Sequence, residues 1–206
     1  MTFSFGSSGQ LAQQIANGAP FDLVASANVS YVNKVVAAGR ADAHSKRTYA
    51  FGRIVIWSRR AAYADLADLA ADTTVRKLAI ANPDHAPYGV AAKQALQRAG
   101  VYEALRPRLV YGENASDTLR LAESGNADAA IVALSLATTS GGRWTLVPMR
   151  LHDPLEQALV VTSESDHRAR LARQFADVVS SRQGRAVMRR YGFLLPGEET
   201  PVVANR

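Results

Sequence analysis

Along the chain, short runs of nearly unbroken apolar residues alternate with longer stretches in which apolar residues return every third or fourth position. The first pattern marks buried strands and the second amphipathic helices. Phe3-Ser4-Phe5 reads as the end of a strand. A short helix follows over residues 10–17, with Leu11 and Ile15 on one face and Gly18 and Pro20 as its stop. Residues 21–25 form a buried strand. Residues 31–38 form a helix with Val32, Val35 and Val36 turned inward and Gly39 closing it. Strands are predicted at 53–58 and 78–81, a helix over 90–99 ended by Gly100, a strand at 109–111 and a helix over 116–124. The apolar runs at 127–133, 145–148 and 157–162 supply three more strands. Leu171, Phe175, Val178 and Val179 then recur at helical spacing, and a last helix covers 184–191.

Strands alternating with helices, without an internal repeat, predict a mostly parallel α/β architecture. The closing helices are separated from their partners near the start by the whole middle of the chain. This order predicts two lobes: a discontinuous one from residues 1–50 plus 164–206, and a continuous one from residues 51–163. The chain is expected to cross between them near Phe51-Gly52 and again near Ser163-Glu164. Small-molecule sites favour such domain interfaces, so the cleft between the lobes is the expected site.

Composition narrows the class. Of 206 residues, 48% are hydrophobic and 20% charged, the balance of a globular protein with a true core rather than a disordered chain. No apolar run approaches the ~20 residues a membrane-spanning helix needs. The opening Met1-Thr2-Phe3-Ser4-Phe5 carries no basic region before an apolar stretch, so no signal peptide is visible. Either the mature protein is cytoplasmic or an export signal lies outside this chain. With 0 cysteines, disulfide scaffolds, thiolate metal sites and cysteine nucleophiles are excluded. The net charge of +6 fits either an anionic partner or a solvated, arginine-rich surface. Arg59-Arg60, Arg76-Lys77 and Arg189-Arg190 are scattered pairs without interleaved aromatics, which argues against a nucleic-acid partner.

Candidate chemistry gathers at strand-to-helix junctions. Gly6-Ser7-Ser8-Gly9 lies between a strand end and a helix, where hydroxyls and free N–H groups serve either as an ordinary helix cap or as an anion site. Asn82-Pro83-Asp84-His85-Ala86-Pro87-Tyr88-Gly89 precedes the helix at 90–99, and Gly89 lets backbone approach a ligand closely. Glu113-Asn114-Ala115-Ser116 opens the next helix, with Asn114 or Ser116 as its cap, and a further strand ends at Val132-Ala133-Leu134-Ser135. Several such termini aimed at one cleft hold an oxyanion with neutral donors, because each buried N–H needs a partner. Catalytic alternatives are thin. His44, His85, His152 and His167 have no metal-ligand spacing, and His85 reads as a surface or loop-stabilising histidine. No nucleophile elbow or phosphate-loop lysine occurs. Asp22 reads as an acceptor for backbone N–H groups at a strand start, and Glu164 with Asp166 as caps of the C-terminal helix.

Phe5-Gly6-Ser7-Ser8-Gly9-Gln10-Leu11-Ala12-Gln13-Gln14-Ile15, followed by Gly18-Ala19-Pro20-Phe21-Asp22-Leu23-Val24-Ala25-Ser26-Ala27, closely resembles the periplasmic molybdate-binding protein family of ABC importers. Ala81-Asn82-Pro83-Asp84-His85-Ala86-Pro87-Tyr88-Gly89 resembles that family's second anion loop. Gly125-Asn126-Ala127-Asp128-Ala129 and the closing Arg190-Tyr191-Gly192-Phe193 fit it as well. The resemblance runs the length of the chain.

It implies a type II periplasmic-binding-protein fold, two α/β lobes closing on molybdate or tungstate, with no cofactor and no catalytic step. It implies a monomeric periplasmic carrier that delivers the oxyanion to a membrane permease. By motif, Ser8 takes the place of the ligand serine, and Ser7 and Gly89 are further expected ligand-binding residues. Tyr88 stands where the family binds the anion through backbone N–H, and Ala115 replaces a residue, often valine, that does the same. Some members carry a tyrosine whose hydroxyl reaches the oxyanion at the position of Ala133, and alanine lacks that contact. The family also begins with a strand, an Ala-Ser-Leu-like loop and a helix that have no counterpart ahead of Met1. The expectation is therefore an incomplete first lobe and weak binding by the chain as it stands. Two other readings are a ligand-sensing domain of a molybdate-responsive regulator and a remnant that binds nothing.

Overall fold

The computed structural model describes residues 1–198. Nine α-helices and eight strands are set out along them in the order α1 (Ser8–Ala16), β1 (Leu23–Ser26), α2 (Val29–Ala37), β2 (Arg47–Gly52), β3 (Ile54–Ser58), α3 (Leu66–Ala71), β4 (Leu78–Ala81), α4 (Pro87–Arg98), α5 (Tyr102–Leu105), β5 (Leu109–Gly112), α6 (Ala115–Glu123), β6 (Ala129–Ala133), α7 (Leu134–Ala137), β7 (Arg143–Leu146), β8 (Leu155–Val161), α8 (Asp166–Ser180) and α9 (Arg182–Arg190).

The strands form two separate sheets, a three-stranded one in the order β1-β8-β2 and a five-stranded one in the order β5-β4-β6-β3-β7. The architecture is α/β, as the alternation implied, but the pairing is more antiparallel than expected. Only β4 runs parallel to its neighbours β5 and β6, while β3 and β8 run against theirs. Reversal at these two strands is where the chain passes between sheets. β2 ends in the small sheet at Gly52 and β3 begins the large one at Ile54.

The return passage departs from the sequence-based expectation. The apolar pattern places the strand around residue 157 in the continuous lobe, with the crossing at Ser163-Glu164. Instead β8 is the middle strand of the small sheet, paired with both β1 and β2, so the chain returns between Leu146 and Leu155. A strand buried on both faces reads the same whichever sheet it joins, so its apolar run could not assign it. Residues 199–206, placed at the end of the first lobe, lie outside the described residues.

Alternation along β3 builds the core on both faces of the large sheet. Ile54 and Ile56 pack with Leu78, Ile80 and Ile131 beneath α3 and α4, where Leu69, Ala92 and Leu96 are fully buried. Val55 and Trp57 face the other way, against Leu119 and Ala122 of α6. In the small sheet, Val24, Ala158 and Val160 pack on Ala12 and Ile15 of α1 and Val32 and Val35 of α2. The opposite face meets α8 through Ala169 and Ala172.

Two expectations fail locally. Leu171 and Val178 are not the buried face of α8; they are 50% and 58% exposed, and Ala169, Ala172 and Ala176 pack inward instead. Both sets have helical spacing, and the small residues let the helix lie close to β8. Residues 3–5 form no strand, and the Phe3 ring packs beside Phe175 with centroids 6.0 Å apart. Strand β2 was not anticipated, because Arg47, Thr48 and Tyr49 interrupt the apolar pattern on a half-buried edge.

Candidate functional site

The first junction is the start of α1. Ser7 is its N-cap, in extended conformation, with its hydroxyl accepting the Gln10 N–H at 3.4 Å. The cap reading therefore holds for Ser7, while Ser8 does something else. Its buried hydroxyl accepts the N–H of Ala27 at 3.1 Å, which ties the helix start to the turn after β1. Its own N–H, at the first helical position, has no partner among the described residues.

The second junction is the loop into α4. Asn82 organises it: the side-chain oxygen accepts the Asp84 N–H at 3.0 Å, and the carbonyl accepts the Ala86 N–H at 2.9 Å. Pro87 then opens the helix at a position where its missing N–H costs nothing. The next N–H, that of Tyr88, has no partner among the described residues. The Tyr88 side chain points elsewhere. Its hydroxyl lies 2.7 Å from where a side chain on Gly52 would begin, beside the Gln157 amide of the small sheet. Burial there pushes the phenol well above its ordinary range, with nearby Tyr49 adding to the effect. Tyr49 is itself pushed up to about 12 by burial.

Gly89 does not play the part its position suggested. Its N–H is taken by the Ala86 carbonyl at 2.9 Å, so it is not a free donor. Its missing side chain serves packing: a Cβ there would stand 1.9 Å from the Ala81 carbonyl oxygen at the end of β4.

The third junction opens α6. Asn114, rather than Ser116, is the cap, accepting the Asp117 N–H at 2.9 Å. The N–H groups of Ala115 and Ser116 are left without partners among the described residues.

Direct contacts bring these junctions together across the gap between the sheets. The Gly9 N–H donates to the His85 carbonyl at 2.9 Å. The Ser7 hydroxyl is 2.8 Å from His85 Nδ1, and Gln10 Nε2 donates to Glu113 Oε2 at 3.2 Å. The starts of α1, α4 and α6 therefore share one seam, and Ser8 and Tyr88 lie on the same side of the molecule. Each helix start carries partial positive charge and unfilled N–H donors, the arrangement that favours an anion. A surface cavity of about 120 Å³ at the far end of α1 contains Arg40 and Arg168, but these pair with Glu164 and Asp22. Asp22 and Glu164 thus hold arginines rather than backbone N–H groups. Sequence reasoning missed the role of His85, whose presence in the loop was the only signal.

A family model described as bacterial extracellular solute-binding protein matches residues 1–194. The molybdate-binding protein ModA of Rhodobacter capsulatus is 37% identical over 196 residues, covering 94% of this chain and 77% of that protein. The chain belongs to the molybdate-binding protein family. ModA of Azotobacter vinelandii is 34% identical over 197 residues, again spanning 77% of the relative. The solved periplasmic molybdate-binding protein of Azotobacter vinelandii superposes with a TM-score of 0.87 at 32% identity, over 94% of this chain and 86% of that one. The fold is that of type II periplasmic binding proteins. The sulfate-binding protein SubI of Mycobacterium tuberculosis shares that fold at a TM-score of 0.71 and 18% identity.

Proposed function

We propose that this family member is the substrate-binding component of an ABC importer for molybdate, with tungstate as a second ligand of the same size class. The observation that carries this reading is the convergence of three helix N-termini on one seam between two sheets, with the N–H groups of Ser8, Tyr88 and Ala115 unfilled. The oxyanion is held by these neutral donors and by the Ser8 hydroxyl, whose hydrogen remains free while its oxygen accepts from Ala27. Ser7 supports them from the cap position. We take the lobes from the sheets: residues 1–52 and 155–198 in one, residues 54–146 in the other, with the connections at Arg53 and at 147–154 as the hinge. The protein acts as a monomeric periplasmic carrier that presents the anion to a membrane permease, without a catalytic step.

Ala115→Pro tests the reading sharply. Proline suits the first position of a helix, and extended Asn114 before it is compatible with it, so α6 stays intact while one N–H is removed. A hydrogen bond to a charged group contributes about 1.5–3 kcal/mol, and each ~1.4 kcal/mol is a factor of ten. Isothermal titration with sodium molybdate is expected to show binding at least tenfold weaker in the variant, with the unfolding temperature preserved. Unaltered affinity would remove Ala115 from the site, and no heat with molybdate or tungstate in the parent protein would overturn the function.

A further inference from the structure

We propose that His85 is a positioning residue that latches the two lobes and sets how long a bound oxyanion stays; this rests on the lobed, anion-binding reading above. Four side chains close a ring across the seam. Ser7 and Gln10 belong to α1, on the small-sheet side, while His85 and Glu113 lie in the loops that lead into α4 and α6. Ser7 Oγ is 2.8 Å from His85 Nδ1, His85 Nε2 is 4.0 Å from Glu113 Oε2, and Gln10 Nε2 donates to that same oxygen at 3.2 Å. The Gln10 N–H completes the circuit on Ser7 Oγ at 3.4 Å.

Ser7 Oγ accepts from Gln10 and keeps its own hydrogen, which is placed to donate to an unprotonated His85 Nδ1. In that tautomer the ring hydrogen sits on Nε2, on the side of the Glu113 carboxylate. The two ends are unequal. The Glu113 side chain is 74% exposed and screened by water, whereas Ser7 is 3% exposed, so the holding power is concentrated at the Ser7–His85 end. The His85 backbone works at the same point, its carbonyl accepting the Gly9 N–H at 2.9 Å. The loop is stiffened by Asn82 and does not absorb a displacement, so a lobe that opens must break both bonds.

A latch of this kind acts on release and not on capture. Ligand enters when the lobes are apart and the ring is broken, so the association rate does not sense His85. Release requires the ring to break, so the dissociation rate does.

The test compares parent protein, His85→Ala, His85→Asn and Glu113→Gln. Rapid-mixing kinetics with sodium molybdate give both rate constants, and hydrogen–deuterium exchange of the ligand-free proteins follows the Gly9 amide. For His85→Ala we expect dissociation about tenfold faster, association within twofold of the parent, and faster exchange at Gly9. Asparagine places an acceptor near the position of Nδ1 and is expected to restore most of the slow release. Glu113→Gln is expected to change release by less than threefold. Equal loss in both rate constants without rescue by asparagine would mark His85 as merely structural and overturn the latch. Unchanged release with unchanged Gly9 exchange would overturn it too. If the parent protein does not bind molybdate, the functional reading fails on its own. The exchange at Gly9 then still decides the latch: faster in His85→Ala supports it, and unchanged refutes it.

Discussion

Gly9→Ala separates folding from binding more cleanly than any change to a polar side chain. Gly9 lies in the first turn of α1 with an ordinary negative φ, so alanine meets no backbone strain there. Alanine is also the better helix former, by up to about 1 kcal/mol in a helix interior and less in a first turn. The obstacle lies across the seam. A Cβ on residue 9 would stand 2.8 Å from the His85 carbonyl oxygen and 3.0 Å from both His85 Cα and Cβ. Two of these atoms are backbone, in a loop already fixed by Asn82, so the lobes must separate rather than one side chain turn aside. Separation lengthens the Gly9 N–H bond to the His85 carbonyl, now 2.9 Å. A net loss of about 0.5–1.5 kcal/mol for that bond corresponds to roughly two- to twelvefold in affinity. The helix start also withdraws from the anion, which adds to this, and the expected total is about tenfold or more. Isothermal titration with molybdate measures the affinity, and thermal unfolding without ligand measures the fold. The expected result is weaker binding with an unfolding temperature unchanged or slightly raised. Full affinity in Gly9→Ala would show that closure at this contact is not required for binding, and the three-junction site would have to be abandoned.

Gly89→Ala is expected to behave in the opposite way, lowering stability first. Its Cβ would overlap the Ala81 carbonyl oxygen at 1.9 Å, an overpacking that costs about 1–3 kcal/mol and lowers the unfolding temperature by several degrees; an unchanged temperature would show that α4 can move away from β4 freely. His152 gives a pH dependence. It is buried, Nδ1 donates to the Asp153 carbonyl at 2.7 Å, and Nε2 has no partner among the described residues. Desolvation first, with Arg98 adding to it, holds its pKa below the ordinary 6.5. The neutral ring costs nothing above pH 6.5, whereas below it the unfolded chain gains a proton that the fold resists, so stability falls as pH drops. Thermal unfolding from pH 7.5 down to about pH 5 is expected to show this loss, and His152→Leu to flatten it; equal slopes in the two proteins would refute the assignment.

The elements were legible in the sequence where the pattern was strong and local. The strand at 78–81 coincides with β4, and the stops at Gly39 and Gly100 are glycines with φ of 68° and 73°. What stayed hidden was partnership. The apolar run of β8 describes burial and not which sheet does the burying, so the return crossing was placed too late. On α8 two faces had the right period, and only the proximity of β8 decides for Ala169 and Ala172 over Leu171 and Val178.

The candidate site divides in the same way, for a chemical reason. A site made of N–H groups leaves no side-chain signature of its own; what the sequence carries is the punctuation around it. Ser7 and Asn114 mark where two helices begin, and Pro87 marks the third. From those caps the free N–H groups of Ser8, Tyr88 and Ala115 follow by position alone. Gly89 looked equivalent because glycine beside a ligand loop signals close approach, yet close approach to Ala81 produces the same residue. Gly9 carries no signal and His85 only its place in the loop, because their significance lies in touching each other across 75 intervening positions. Residues that hold two lobes together are selected by a partner distant in sequence. They are invisible to any local pattern, while the helix starts they bring together are not.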